Sequence, residues 1–275
     1  MELSPNPPAK GNELLTVASF NVNSVRSRIA IILEWLTRHQ PDVLCLQETK
    51  VQDHEFPVQA IHETGYQVVF RGEKSYNGVA VITREAAQGV SFGFDTSEPR
   101  DETRLAVVVI KGIPIVNTYV PQGRDISLPF FQYKLAWFAR LREYFDRHFS
   151  PNRPLIWMGD LNVAPEPRDV YAPKELLGHV CFCPEVSQAF SEVLSWGFTD
   201  VFRKHCPEPD IYTFYDYRIR NAVPRRMGWR IDHILATAPL ARCSIASSVD
   251  MEPRLAPKPS DHTVIMAEFD LSRLS

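Results

Sequence analysis

Leu14-Leu-Thr-Val-Ala-Ser-Phe-Asn-Val-Asn-Ser24 opens as an apolar run of strand length and ends in two asparagines ahead of a helix-like stretch. Val25, Ile29, Ile32, Leu33 and Leu36 then form one apolar stripe, with Arg26, Arg28, Glu34 and Arg38 largely off it, which predicts a helix over Ser24–His39. The same grammar repeats along the chain. Strand-length runs rich in β-branched residues recur at Val43–Gln47, Gln67–Phe70, Gly78–Thr83, Leu105–Ile110, Ile113–Val120, Leu155–Met158, Ile231–Ala236 and Thr263–Phe269. Further helices are expected over Phe130–Phe149 and Ser187–Trp196, with Ser24 and Ser187 as N-caps. Many strands with few helices between them predict packed sheets covered by helices, not a simple doubly wound fold.

Composition sets the outer bounds. The chain has 275 residues, 44% hydrophobic and 23% charged, with a formal net charge of -3. That fits an ordinary globular protein and excludes a disulfide miniprotein, a coiled coil and a disordered chain. No apolar run approaches the roughly 20 residues that cross a bilayer. Residues 1–13, proline-rich at Pro5, Pro7 and Pro8, read as a disordered lead-in without the order of a signal peptide, and residues 14–275 as a single domain. The expected compartment is therefore cytoplasmic, nucleoid-associated in a bacterium or nuclear in a eukaryote. Five cysteines without a Cys-x-x-Cys spacing read as reduced thiols. Ala164–Pro184 is proline-rich and irregular, the signature of a long functional loop.

Polar residues gather at the ends of the apolar runs: Asn21 and Asn23, Gln47-Glu48-Thr49-Lys50, Tyr119, Gln122 and Arg124, Gly159-Asp160-Leu161-Asn162, Asp232-His233, and Ser260-Asp261-His262. Such groups are costly to bury unless they pair or bind something. Each alone admits an ordinary reading: a helix cap for Asn21 and Asn23, a salt bridge for Glu48, an Asx-turn at Asp160, a core tyrosine at Tyr119. Their joint occurrence at strand ends predicts one convergent site. Basic residues concentrate in Arg203–Arg230, with Lys204, Arg218, Arg220, Arg225 and Arg226 between, interleaved with Tyr212, Phe214, Tyr215, Tyr217 and Trp229. That stretch reads either as a phosphate-facing patch or as a hairpin packing its rings inward.

The stretches Ser19-Phe-Asn-Val-Asn23, Leu46-Gln-Glu-Thr-Lys50, Asn117-Thr-Tyr-Val-Pro-Gln-Gly123, Gly159-Asp-Leu-Asn162, Gly228-Trp-Arg-Ile-Asp-His233 and Lys258-Pro-Ser-Asp-His262 run in one order from about Leu14 to Phe269. In these motifs the chain resembles the exonuclease III family of apurinic/apyrimidinic endonucleases, within the endonuclease/exonuclease/phosphatase superfamily. The resemblance implies an α/β fold, a four-layer α/β-β/α sandwich of two packed mixed sheets flanked by helices. It also implies Mg²⁺-dependent hydrolysis (Mn²⁺ substituting) of the DNA phosphodiester 5′ to abasic sites, with 3′-phosphodiesterase, 3′-phosphatase and 3′–5′ exonuclease activities. By the same resemblance Glu48 is the main metal ligand, with Asn21, Asn23 and Asp261 close to the metal. Asp160 orients and deprotonates water; Asn162, Tyr119 and His262, aligned by Asp232, act on the phosphate. Phe214, Trp229 and Ile231 match the pocket for a flipped-out abasic sugar. Lys50, Gln122, Arg124, Arg168, Arg218 and Arg225 are candidates for contacts to double-stranded DNA bearing abasic sites or blocked 3′ ends. A monomer is expected. Two alternatives remain: a specialised 3′-phosphatase or exonuclease with weak abasic incision, and a catalytically inactive DNA-binding scaffold. The presence of Glu48, Asp160 and His262 disfavours the second.

Overall fold

The computed structural model describes residues 14–95 and 98–274, so the lead-in expected over residues 1–13 lies outside the described residues. Among these the strands run β1 Leu14–Asn21, β2 Val43–Gln47, β3 Gln67–Arg71, β4 Val79–Thr83, β5 Val90–Phe92, β6 Leu105–Ile110, β7 Ile113–Tyr119, β8 Ile156–Asp160, β9 Phe198–Asp200, β10 Asp232–Thr237, β11 Ser244–Asp250 and β12 Val264–Asp270. The helices are α1 Val25–His39, α2 Val58–His62, α3 Pro129–His148, α4 Pro173–Leu176, α5 Pro184–Leu194, α6 Val201–His205, α7 Ala238–Ala241 and α8 Glu252–Leu255.

Two six-stranded mixed sheets form, in the orders β11-β12-β1-β2-β4-β3 and β5-β6-β7-β8-β10-β9. Between them lies an apolar layer including Val17, Cys45, Val81, Val108, Ile115, Met158, Ile234 and Ile265. The outer face of the first sheet, through Phe20, Leu44, Leu46 and Ile82, packs on Ile32, Trp35 and Leu36 of α1. The outer face of the second, through Val107, Val116, Trp157 and Leu235, packs on Trp137, Phe138 and Phe145 of α3 and Val186, Phe190 and Val193 of α5. The molecule is the expected four-layer sandwich. Because its central strands are covered on both faces, they read as continuous apolar runs: β2 and β4 are buried at every position.

Register sets the site. In the second sheet Tyr119 of β7 pairs with Asp160 of β8, and Asp160 pairs with Asp232 of the antiparallel β10, so three polar residues stand in one row. In the first, Asn21 pairs with Gln47, which delivers Glu48 to the same rim. Strand β12 is antiparallel to β1, so His262, just before it, arrives at that rim too. Gly159 is the residue that permits the β7–β8 pairing here: a Cβ on it would lie 2.0 Å from the Thr118 carbonyl oxygen, at a φ of +138°.

Three expectations are corrected. Helix α5 begins at Pro184, not at Ser187, because Pro184 supplies a preset φ at its first turn and Cys183 is the cap residue. Ser24 stands at the cap position of α1 but its hydroxyl makes no capping bond; instead the amides of Ser24 and Val25 donate to the carbonyls of Glu48 and Thr49. Strands β5, β9 and β11 escaped the pattern because they are edge strands, two of them three residues long, with exposed positions that break the apolar run.

Candidate active site

At the shared rim the two sheets are joined through side chains. Asn21 Nδ2 donates to Glu48 Oε1 and to Asp160 Oδ2, both at 2.8 Å, while its Oδ1 accepts from the Asn23 amide at 3.0 Å. The two N–H groups of this buried amide thus hold two carboxylates, one from each sheet, while its oxygen fixes the Asn23 backbone. Asp160 Oδ1 accepts from the Asn162 amide at 3.0 Å. His262 Nδ1 lies 2.9 Å from Asp232 Oδ2, and its Nε2 faces Asp160 Oδ2 at 3.8 Å. Asn162 Nδ2 donates to the Val120 carbonyl at 3.0 Å. Tyr119 stands beside Glu48 and Asp160, with the Arg104 guanidinium 4.7 Å from its ring centroid. Asn23 Nδ2 reaches Asp261 Oδ1 at 3.0 Å.

Backbone geometry supports this convergence. Asn23, Glu48, Lys50, Arg124 and Asn162 all adopt positive φ, between 42° and 61°. Non-glycine residues held there cost of order 1–3 kcal/mol each and cluster at functional sites.

The electrostatics are those of crowded acids. Burial first, then the neighbouring Asp232 and Glu48 charges, push the Asp160 carboxyl up to about 7 against the pull of His262. Burial alone would lower His262, but Asp232 and Asp160 outweigh it and raise the imidazole to about 10, so it is a cation at neutral pH. Glu48 moves the other way: burial would raise it, yet Lys50 and the Asn21 amide hold it below its ordinary value. Burial and the two neighbouring carboxylates raise the Tyr119 phenol, which keeps its proton.

A cavity of about 370 Å³ opens beside this row and is walled by Phe214, Trp229, Ile231, Tyr171, Leu176 and His179. Phe214 and Trp229 exchange backbone hydrogen bonds at 2.9 Å, and the Phe214 ring lies 4.9 Å from that of His262. The aromatic segment therefore does both things its sequence allowed: Tyr212 and Tyr215 pack inward, while Phe214 and Trp229 face the cavity.

The remaining expected residues divide. Gln122, Asn162, Asp261 and Arg218 line the cavity, and Arg124 stacks on Phe130 at 4.1 Å beside Gln122. Lys50, expected to meet DNA, instead lies within the acidic cluster, its ammonium 2.6 Å from both Glu48 Oε2 and Asn23 Oδ1. Arg168 lies outside the cavity wall; its guanidinium pairs with Glu166 at 2.5 Å and donates to the Pro207 carbonyl. The basic segment is not one patch. Arg230 is fully buried against Asp169 and Asp200, Arg203 pairs with Asp169, and Lys204 donates to the carbonyls of Ala241 and Ser244. Arg218, Arg220, Arg225 and Arg226 remain exposed, the first paired with Asp216. Arg225 Nη1 also donates to the Arg220 carbonyl. Residues that sequence reasoning missed include Arg104, His179 and Tyr171; no local signal marks them, since each reaches the site only through long-range packing.

A pair of sheets presenting carboxylates, a histidine and amides around one cavity suits hydrolysis of a phosphoester, and residues 18–262 match the model of the Endonuclease/Exonuclease/phosphatase family, to which the chain belongs. Exodeoxyribonuclease III of Haemophilus influenzae is 32% identical over 263 residues, covering 91% of this chain and 98% of that protein. An AP endonuclease structure from Archaeoglobus fulgidus superposes with a TM-score of 0.91 at 50% identity, covering 93% of this chain and 99% of that one. A 3′ phosphatase from Neisseria, bound to a product DNA hairpin, superposes with a TM-score of 0.87 at 34% identity, again over 93% and 99%. Within the family the chain is a DNA-repair nuclease of the exonuclease III group, a group of metal-dependent hydrolases. No helix among the described residues is long and apolar enough to cross a membrane.

Proposed function

We propose that this nuclease uses Mg²⁺ to hydrolyse the phosphodiester on the 5′ side of abasic residues in duplex DNA, and that the same site removes 3′-phosphates, 3′-phosphodiesters and 3′-terminal nucleotides. The observation that carries the reading is the small apolar wall of Phe214, Trp229 and Ile231 set directly against His262 and Asp160. A wall of that kind suits a baseless deoxyribose turned out of the helix and excludes an intact nucleotide by size. The A. fulgidus AP endonuclease supports the endonuclease reading at higher identity than the Neisseria 3′ phosphatase supports the alternative.

The donor set fits a hard divalent cation. Glu48 Oε2 and Asn23 Oδ1 already converge on a positive charge, the Lys50 ammonium, at 2.6 Å each. Asn23 Nδ2 in turn holds Asp261 Oδ1 at 3.0 Å, bringing a second carboxylate beside this pair. Oxygen ligands of this kind suit Mg²⁺, with Mn²⁺ able to replace it, and Glu48, Asn23 and Asp261 are the residues that would hold it. When bound, the ion neutralises phosphate charge and so eases attack on phosphorus.

The protein's own groups account for the rest. Asp160, oriented by the Asn162 amide and Asn21 and titrating near neutrality, is placed to take a proton from the attacking water. His262, charged and held by Asp232, donates to a phosphate oxygen as negative charge builds there. The protonated Tyr119 phenol and the second N–H of the Asn162 side-chain carboxamide donate to the same group from the opposite sheet and the cavity floor. Arg124, Arg218 and Arg225, all exposed, would contact backbone phosphates and position DNA without reading its sequence.

The test is cleavage of end-labelled duplexes carrying an internal abasic analogue, a 3′-phosphate at a nick, or neither, with and without Mg²⁺. Mg²⁺-dependent cutting 5′ of the abasic site is the expected result. Phosphate removal without that cut would make the protein a 3′-end cleaning enzyme, and no cleavage of any duplex would leave a DNA-binding scaffold.

A further inference from the structure

Directly behind the site sits a cation that the chemistry above does not use. Lys134, on α3, is completely buried although its helical neighbours on that face are Phe131, Trp137 and Phe138. Its ammonium donates to the carbonyls of Asn162 at 2.6 Å, Val180 at 2.7 Å and Gln122 at 3.2 Å. These bonds use the three donors a lysine has. No carboxylate lies within ion-pairing distance of it among the described residues. Burial pulls its pKa below the ordinary lysine value, with the Asp160 charge among the groups that oppose the fall. A buried, unpaired ammonium is expensive where a methionine would fill the same space.

The three carbonyls belong to three separate connections, those following β7 and β8 and the long segment of residues 164–183 that carries α4. Each loop contributes to the cavity: Gln122 from the first, Asn162 from the second, His179 and Cys181 from the third. The tightest bond goes to Asn162, whose backbone is held at a φ of +49° and whose side chain is aimed by its bond to Val120. Gly123 lets the lysine stem pass, since a Cβ there would come within 3.3 Å of Lys134 Cδ at a φ of +95°.

We propose that Lys134 is a positioning residue of the nuclease: its ammonium clamps these three loops together and fixes Asn162, and with it the cavity floor, against the scissile phosphate. The assignment rests on the phosphodiesterase reading for its kinetic consequence, whereas the clamp itself is a statement about the folded chain. The two are tested apart. Hydrogen exchange reads the clamp without catalysis: Lys134→Met should deprotect the amides around residues 161–164 and 178–182, whereas Lys204→Met should not. Lys204, exposed where Lys134 is buried, is the control, since its ammonium also bonds Ala241 and Ser244 acceptors but lies away from the cavity. Unchanged protection at those amides would overturn the proposal whatever the activity.

On the duplex that the wild type cuts fastest, Lys134→Met should lower kcat by about 100-fold, the scale expected of a small misplacement of reacting groups, with KM moving less than about threefold. In an Asn162→Ala background the same substitution should cost under about threefold, because two groups acting through one another do not add. A full 100-fold loss in both backgrounds, or an equal loss in Lys204→Met, would overturn the proposal. If Lys134→Met fails to fold, Lys134→Gln, which keeps two donors, is taken through the same cycle and the same exchange measurement. A wild type that cuts no duplex would refute the function proposed above and leave the exchange result to decide the clamp.

Discussion

Two clusters of charge lie within the second sheet's reach, and they are built on opposite principles. Asp169, Asp200, Arg203 and Arg230 form a balanced set of two carboxylates and two guanidiniums, with Arg230 and Asp169 fully buried and Arg230 also donating to His233. Glu48, Asp160, Asp232 and Asp261 crowd around one histidinium and the Lys50 ammonium, an excess of negative charge opening onto a cavity. In the first cluster the partners hold Asp169 and Asp200 well below the usual carboxylate range despite their burial. In the second, burial and like charges drive Asp160 up. Balanced charge inside a protein stabilises a shape; unbalanced charge facing a cavity awaits a ligand.

The largest expected effect breaks the second cluster. Asp160→Asn or His262→Ala should lower turnover by several orders of magnitude, at least the 10²–10⁴-fold span of general acid–base catalysis. Circular dichroism should stay near the wild type; a folded variant with near-normal turnover removes that residue from the catalytic set. Breaking the first cluster should do the reverse. Arg230→Met leaves Asp200 without its guanidinium and Asp169 with Arg203 alone, and should cost about 3–5 kcal/mol of stability, read by urea unfolding. Because Arg230 lies between Trp229 and Ile231, residual folded enzyme should show a raised KM for abasic duplex with kcat less affected.

A subtler contrast is in pH. The Asp160 carboxyl titrates near 3.9 when unfolded and near 7 when folded, so the native state holds the extra proton between those values and stability falls as pH rises from about 4 to about 7. Asp200 is depressed on folding, so its contribution is present above about 4 and is lost as pH falls below it. In chelator-treated protein, Asp160→Asn should therefore unfold at a higher temperature than wild type at pH 8 and at a similar temperature at pH 4. Asp200→Asn should unfold at a lower temperature than wild type at pH 8, with the deficit shrinking as the pH falls below 4. Parallel curves across that range would contradict the assignment. The smallest effect concerns the exposed arginines. Replacing Arg218 and Arg225 together with alanine should reduce the salt slope of DNA binding by about 1–2, in fluorescence anisotropy titrations, with little change in kcat.

Much of this was legible in advance for a physical reason. Strands covered on both faces advertise themselves as unbroken apolar runs, and a polar residue at the end of such a run is conspicuous, which is how Asn21, Glu48, Asp160, Asp232 and His262 came to be read as one site. The edge strands β5, β9 and β11 carry no such signature. Lys134 was invisible because a lysine among Phe131, Trp137 and Phe138 reads as a solvated position on a helix. Only the docking of α3 over three loop carbonyls puts its ammonium inside.

The basic segment marks the boundary between the two kinds of knowledge. Local order alone determined the layered architecture, the rim residues and the interleaving of rings with basic residues over Arg203–Arg230, because alternation, run length and strand-end chemistry are properties of neighbours in the chain. Whether an arginine faces phosphate or an internal aspartate is not. Arg203 and Arg230 look like Arg218 and Arg225 in the chain, and the partners that separate them, Asp169 and Asp200, are brought to them by the fold. Tertiary structure decided those pairings, as it decided that Lys50 would lie among the acids, since a charge's role depends on which opposite charge the packed chain leaves within reach.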